Sequence, residues 1–179
     1  WQNLQTTIHV VVDANHAGCR RTYKSTSCVM VKHGAHTLSG LSAKQPILSH
    51  SSGESEFAAQ VRGCVEGVYT RNVLAFFEHD VNITMKYDST AASGIMHRVG
   101  SSKKTKHVNP KLFWVQKLVK DKIVKLSKVK GTENPADVFT KHLPGNGCIE
   151  ALLGLFSCDI RGGRPAAAPK LRQAEGQEV

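Results

Sequence analysis

The sequence predicts a mixed α/β domain in which three successive strands precede a long helix and two further strands alternate with shorter helices. Three observations carry this. Runs of β-branched or alternating residues fill 7–12, 25–32 and 36–49. A helix-initiation signal at Ser51 opens a stretch with helical spacing to about Phe77. A chain of 179 residues with 40% hydrophobic content can bury the core of one ordinary domain, or one domain plus a tail, but not of two full domains.

Taken in order, Thr7-Ile8-His9-Val10-Val11-Val12 is a β-branched run ending at Asp13, the pattern of a strand buried on both faces. Ala17–Arg21 reads as a turn. Ser25–Lys32 alternates, with Cys28 and Met30 on one side and Val29 and Val31 on the other, and Gly34 closes it. His36–Ser49 is extended but interrupted by Gly40 and Pro46, which makes it irregular or an edge. Short turns between these three imply an antiparallel meander. Ser51-x-x-Glu54 has capping-box spacing, in which hydroxyl and carboxylate satisfy each other's free N–H groups. Gly63 and Gly67 either weaken the long helix or let it pack closely on the sheet. Asn82–Tyr87 alternates as a strand and ends at Asp88, and a short helix follows over Thr90–His97. Asn109-Pro110 opens a helix to about Asp121, Ile123–Val129 is the fifth strand, and Asn134-Pro135 caps a last helix through Lys141. The domain is read as 1–145, with 146–179 as a C-terminal extension whose Ala/Pro/Gly-rich end, from about Arg161, lacks periodicity and is disordered.

No run approaches the roughly 18 apolar residues of a membrane-spanning helix. The chain starts at Trp1 without an initiator Met or a basic-then-apolar leader, which reads as a piece of something longer rather than a secretory precursor. Five cysteines without a CxxC pair argue against a disulfide framework or zinc ribbon and fit reducing, intracellular surroundings. The net charge of +10 is concentrated. Residues 101–130 hold Lys103, Lys104, Lys106, Lys111, Lys117, Lys120, Lys122, Lys125, Lys128 and Lys130 against Asp121 alone, a local +9. Such a segment is either a solvated face or a stripe that follows a phosphate backbone.

The acids are more specific. Asp13 and Asp88 each end a strand, where α/β sheets assemble sites, although an Asp there also serves as a turn or cap residue. Glu54 and Glu56 lie about 200° apart around a helix and cannot both face one point. The capping box accounts for Glu54, leaving Glu56 beside the apolar face at Phe57. Asp137 sits in the first turn of the last helix, where the helix dipole also suffices to explain it. Four converging carboxylates would require divalent cations, and oxygen-only ligation suits Mg²⁺ or Mn²⁺. A pair of such ions beside a lysine stripe fits displacement at a phosphodiester.

Val12-Asp13-Ala14-Asn15-His16-Ala17-Gly18-Cys19, Lys24-Ser25-Thr26-Ser27, Leu48–Phe57, Tyr87-Asp88-Ser89-Thr90-Ala91-Ala92, Thr105-Lys106-His107-Val108 and Lys130–Lys141 follow one another in an order and spacing that resembles the ribonuclease H domain of copia-type retrotransposon Pol polyproteins, over about residues 5–145. The resemblance implies a ribonuclease H-like fold with a five-stranded mixed sheet, three antiparallel strands then parallel ones, flanked by helices. It implies endonucleolytic hydrolysis of the RNA strand of an RNA–DNA hybrid with two Mg²⁺ or Mn²⁺, beside an upstream reverse transcriptase and with no membrane. By position, Asp13, Glu56, Asp88 and Asp137 resemble the catalytic metal ligands. Lys103, Lys104, Lys106, Lys111, Lys117, Lys128 and Lys130 are the expected nucleic-acid contacts.

The chain departs from the family pattern in places. Asn15-His16 stands where Asp-Trp is usual, Cys28 where Gly is usual, and Leu41 where a third-strand Trp is usual. Losing two tryptophans loosens packing by a few (~2–5) kcal/mol where nothing compensates. The loop before Asp137 also lacks the mobile His of cellular relatives, and neither His107 nor His142 is assigned a role. A domain that keeps the fold and the lysines but only binds nucleic acid is the alternative.

Overall fold

The computed structural model describes residues 3–140, 146–155 and 157. Five strands, β1 (Thr7–Ala14), β2 (Thr26–His33), β3 (His36–Lys44), β4 (Asn82–Tyr87) and β5 (Val124–Lys128), form one sheet in the order β3-β2-β1-β4-β5. β1, β2 and β3 pair antiparallel, while β4 is parallel to both β1 and β5. The meander followed by parallel strands is the mixed sheet that the sequence implies. The β2–β3 hairpin turns through Gly34 at φ +60°, a backbone region that glycine enters without steric cost.

Helix α1 (Ser52–Phe76) crosses one face, with α2 (Thr90–Met96) and α3 (Trp114–Lys120) beside it. The main core lies under these helices. Ile8, Val10, Val12, Val29, Val31, Ile83 and Met85 from the strands meet Phe57, Cys64 and Val115. The glycines of α1 are what allow the close approach. A Cβ on Gly63 would lie 2.6 Å from Val12, and one on Gly67 3.0 Å from Val10. On the opposite face Val11, Cys28, Met30 and Ala136 form a small second cluster, confirming the alternation read along β2.

β3 is the edge strand its interruptions imply, and its pairing with β2 shifts register between Val31 and Lys32; Gly40 leaves room for the Met30 sulfur, 2.6 Å from where a Cβ would stand. Other elements differ from expectation. The helix opened by Asn109-Pro110 begins as a 3-10 turn (Pro110–Phe113) and becomes α-helical only at Trp114. The element capped by Asn134 is a 3-10 segment, Pro135–Phe139, rather than an α-helix; Lys141 lies outside the described residues. The extension contains a helix, α4 (Asn146–Gly154), which packs on that segment and buries Leu152. The tail expected to be disordered from Arg161 lies outside the described residues, as do His142 and Cys158.

One core residue is out of place chemically. Gln60 is fully buried on α1 and neither its Oε1 nor its Nε2 has a hydrogen-bond partner. Burying an unpaired amide costs about 1–3 kcal/mol. Gln60→Leu, close in volume and apolar, is therefore expected to raise unfolding stability by about 1–3 kcal/mol. Urea unfolding of both proteins measures this, and an unchanged or lower midpoint would contradict it.

Candidate active site

Asp13 is the penultimate residue of β1, fully buried, and its register partner on β2 is Cys28. Residues opposite one another in an antiparallel pair point to the same face, so this carboxylate and this thiol are neighbours. Burial pushes the Cys28 thiol up to about 12, with the charges of Asp13 and then Asp137 adding to the effect.

Glu56 enters from the first turns of α1. The start of that helix is pinned by Gln45, a 4% exposed residue whose Nε2 donates to Ser27 Oγ and to the Ser55 carbonyl, both at 2.8 Å. Ser51 caps the helix by accepting from Glu54 N–H at 3.2 Å. The reciprocal half of the capping box is altered. Glu54 Oε2 takes the N–H of His50 at 2.8 Å and faces His107 Nε2 at 3.0 Å. His107 thereby ties the loop carrying Lys103 and Lys106 to the N-terminus of α1, a contact that nothing in the sequence signals. Glu54 is thus a structural anchor, and the 200° separation leaves Glu56 for the sheet side.

Asp88 follows the last residue of β4, and Ser89 then caps α2 by accepting from Ala92 N–H at 3.3 Å. Gly131 packs closely on it, since a Cβ there would lie 3.3 Å from Asp88 Oδ2.

These three residues converge. Asp13, Glu56 and Asp88 offer carboxylate oxygens that all lie within 4.8 Å of one another, a spacing that one cation can bridge. Among the described residues that group does not include Asp137. Asp137 lies on the adjoining 3-10 segment, near enough to Cys28 for its charge to act on the same thiol as that of Asp13. An all-oxygen, multiply charged donor set is the chemistry that Mg²⁺ and Mn²⁺ require, so the residues present fit the expected ions.

The 3-10 segment is fastened over β1. Asn134, fully buried, accepts from Ala136 N–H at 3.2 Å and donates through Nδ2 to the Val12 carbonyl at 3.0 Å. Ser42 of β3 donates to the Phe139 carbonyl at 2.9 Å. Thr140 donates its hydroxyl to Asp13 Oδ2, and its own carbonyl accepts from Asn15 Nδ2 at 2.8 Å. The cap signal revealed Asn134, but Asn15, Gln45 and Thr140 carried no periodic or charge signal of their own.

The lysines separate into groups. Lys128 and Lys130 line a cavity of about 530 Å³ together with Asp88, Val129 and Gly131. Lys128 Nζ donates to Thr90 Oγ1 at 2.8 Å. Lys103, Lys106 and Lys111 are exposed on the loop and 3-10 turns before α3, and Lys117 is exposed on α3 itself. The side chain of Lys104 lies outside the described residues. Of these lysines, Lys128 and Lys130 are the pair that shares a cavity with Asp88.

No protein-family model matches the chain. It is 27% identical over 135 residues to the retrovirus-related Pol polyprotein from transposon TNT 1-94 of Nicotiana tabacum, a match covering 75% of this chain and 10% of that protein. Among solved structures, LC11-RNase H1 in complex with an RNA/DNA hybrid aligns with a TM-score of 0.55 at 14% identity, covering 75% of this chain and 94% of that one. The N-terminal RNase H domain of a Mycobacterium tuberculosis protein aligns with the same TM-score at 12% identity, covering 84% and 98%. The chain has the ribonuclease H fold and is related in sequence to a retrotransposon Pol polyprotein, a kinship consistent with the copia-type resemblance of its motifs.

Proposed function

We propose that this chain is a metal-dependent ribonuclease H that hydrolyses the RNA strand of RNA–DNA hybrids, acting inside the cell as one part of a longer Pol polyprotein with a reverse transcriptase. The observation that supports this most is the meeting of Asp13, Glu56 and Asp88 within 4.8 Å on a ribonuclease H fold. The hybrid held by LC11-RNase H1, and the polyprotein kinship, support the substrate and the setting.

In this reading Asp13, Glu56 and Asp88 hold the catalytic ions, with Asp137 completing the set from the 3-10 segment. A pair of Mg²⁺ or Mn²⁺ bound there supplies an activated water and stabilises charge on the leaving 3′ oxygen. Burial of Asp13 and the fastening of α1 by Gln45 fix the ligands before substrate arrives, so little reorganisation remains for the reaction. Lys128 and Lys130, beside Asp88, take the phosphates nearest the scissile bond. Lys103, Lys104, Lys106, Lys111 and Lys117 take the backbone farther along. No described helix is long and apolar enough to cross a membrane.

Cleavage of a labelled RNA–DNA hybrid in Mg²⁺ or Mn²⁺ tests the reading. The intact chain is expected to cut the RNA strand, and Asp13→Asn to lower the rate about a thousandfold, ~4 kcal/mol of transition-state stabilisation. A chain that binds the hybrid but never cuts, or an Asp13→Asn variant that cuts as fast, would refute the enzymatic assignment.

The lysine assignment has its own measurement. Each neutralised phosphate contributes about 0.9 to the dependence of log K on log salt. Replacing Lys128 and Lys130 together by Gln is expected to reduce the slope for hybrid binding by about 2. An unchanged slope would remove both residues from the phosphate path.

A further inference from the structure

Asn15 stands two residues past Asp13, and its amide is engaged from both ends. Oδ1 accepts the N–H of Thr26 at 2.7 Å, and Nδ2 donates to the Thr140 carbonyl at 2.8 Å. Gly18 makes room for this arrangement. A Cβ at that position would lie 2.3 Å from Asn15 Nδ2 and 2.7 Å from its Cγ. Thr140, only 7% exposed, passes the connection on by donating its hydroxyl to Asp13 Oδ2. Asp137 lies between the two fastened ends of the segment, Asn134 bonded to Val12 and Thr140 bonded to Asn15.

We propose that Asn15 and Thr140 are positioning residues for the acidic centre. Asn15 fixes Thr140; Thr140 fixes the orientation of the Asp13 carboxylate and holds the segment that presents Asp137. The inference rests on the metal-binding reading of the acids. The chemistry of the bridge is asymmetric, because Thr26 supplies a donor and Thr140 an acceptor. The Asn15 amide accepts and donates at one planar group and so satisfies both together. Alanine at this position would break both bonds without placing a charge beside Asp13, so its effect on a divalent cation reads the bridge alone.

The test measures Mn²⁺ binding to the full chain without nucleic acid, by electron paramagnetic resonance titration, with thermal unfolding recorded for each variant. Asn15→Ala is expected to weaken Mn²⁺ about tenfold, the scale seen when a partner of a metal ligand is removed. Thr140→Val, which removes only the hydroxyl, is expected to weaken it by a similar factor, and Thr140→Ser to restore binding to within about threefold of the unmodified chain. If Asn15→Ala unfolds, the Thr140 pair decides the matter alone. Equal or tighter binding by folded Asn15→Ala, or equal binding by folded Thr140→Val, overturns the proposal, as does an unmodified chain that takes up no Mn²⁺. An unmodified chain that binds Mn²⁺ but leaves the hybrid uncut defeats the cleavage reading while the comparison among variants still decides the positioning roles.

Discussion

Like charge held close together is the constraint on which the rest of this structure depends. Two carboxylates about 4.8 Å apart repel by roughly 3 kcal/mol at an effective dielectric constant near 20, before solvent screening. Asp13, Glu56 and Asp88 meet at that spacing, and Asp13 does so with no exposure to water. A sheet and helix able to hold them must be stiff, and the local chemistry is arranged to that end. β1 is the central strand, flanked by β2 along its length and by β4 up to Val11, so Asp13 is held in the ladder opposite Cys28 on one side and projects past the β4 pairing on the other. α1 lies close enough on β1 to touch it through two glycines, which leaves Glu56 little freedom to swing away. The positive residues around the site offset part of the same repulsion at longer range, and Lys128 and Lys130 share a cavity with Asp88.

Much of this was legible in the sequence because it is periodic. Strand alternation separates Val29 and Val31, which face the main core, from Cys28 and Met30, which face the second cluster. Helical geometry separates Glu54 from Glu56, and the structure gives them different work: one ties His50 and His107 to the helix start, and the other joins the acids. Parts that depend on single contacts between distant segments had no such signal. Gln45 falls within the interrupted extended segment His36–Ser49 with nothing to single it out, yet its amide links Ser27 on β2 to Ser55 on α1. The misreadings have a common cause as well. Proline at the first helical position is equally compatible with a 3-10 turn, and after both Asn109 and Asn134 the chain takes that tighter form.

Two departures from the resembled family lie at the site itself. Asn15 replaces a carboxylate next to an already crowded cluster, removing a charge that would add to the repulsion, and its amide supplies the donor that Thr140 accepts. Cys28 places a side chain beside Asp13 where glycine would leave space, and burial together with the two neighbouring carboxylates keeps that thiol protonated. A neutral Cys28 adds volume without adding charge, so it fills the second cluster with Val11, Met30 and Ala136 rather than competing for a cation.

A chain accumulating changes without constraint would lose such agreement first, since each bond across the site depends on residues far apart in sequence. Asn15 and Thr140 are separated by 125 positions, Asn134 and Val12 by 122, and Ser42 and Phe139 by 97. All three pairs hold one segment, Pro135–Phe139, against β1 and β3. Gln60 on α1 shows the contrast: a buried amide with neither atom satisfied. At the Asp13 end of β1 the amides and the hydroxyl are matched, because the bonds of Asn15, Asn134 and Thr140 also fasten the segment carrying Asp137.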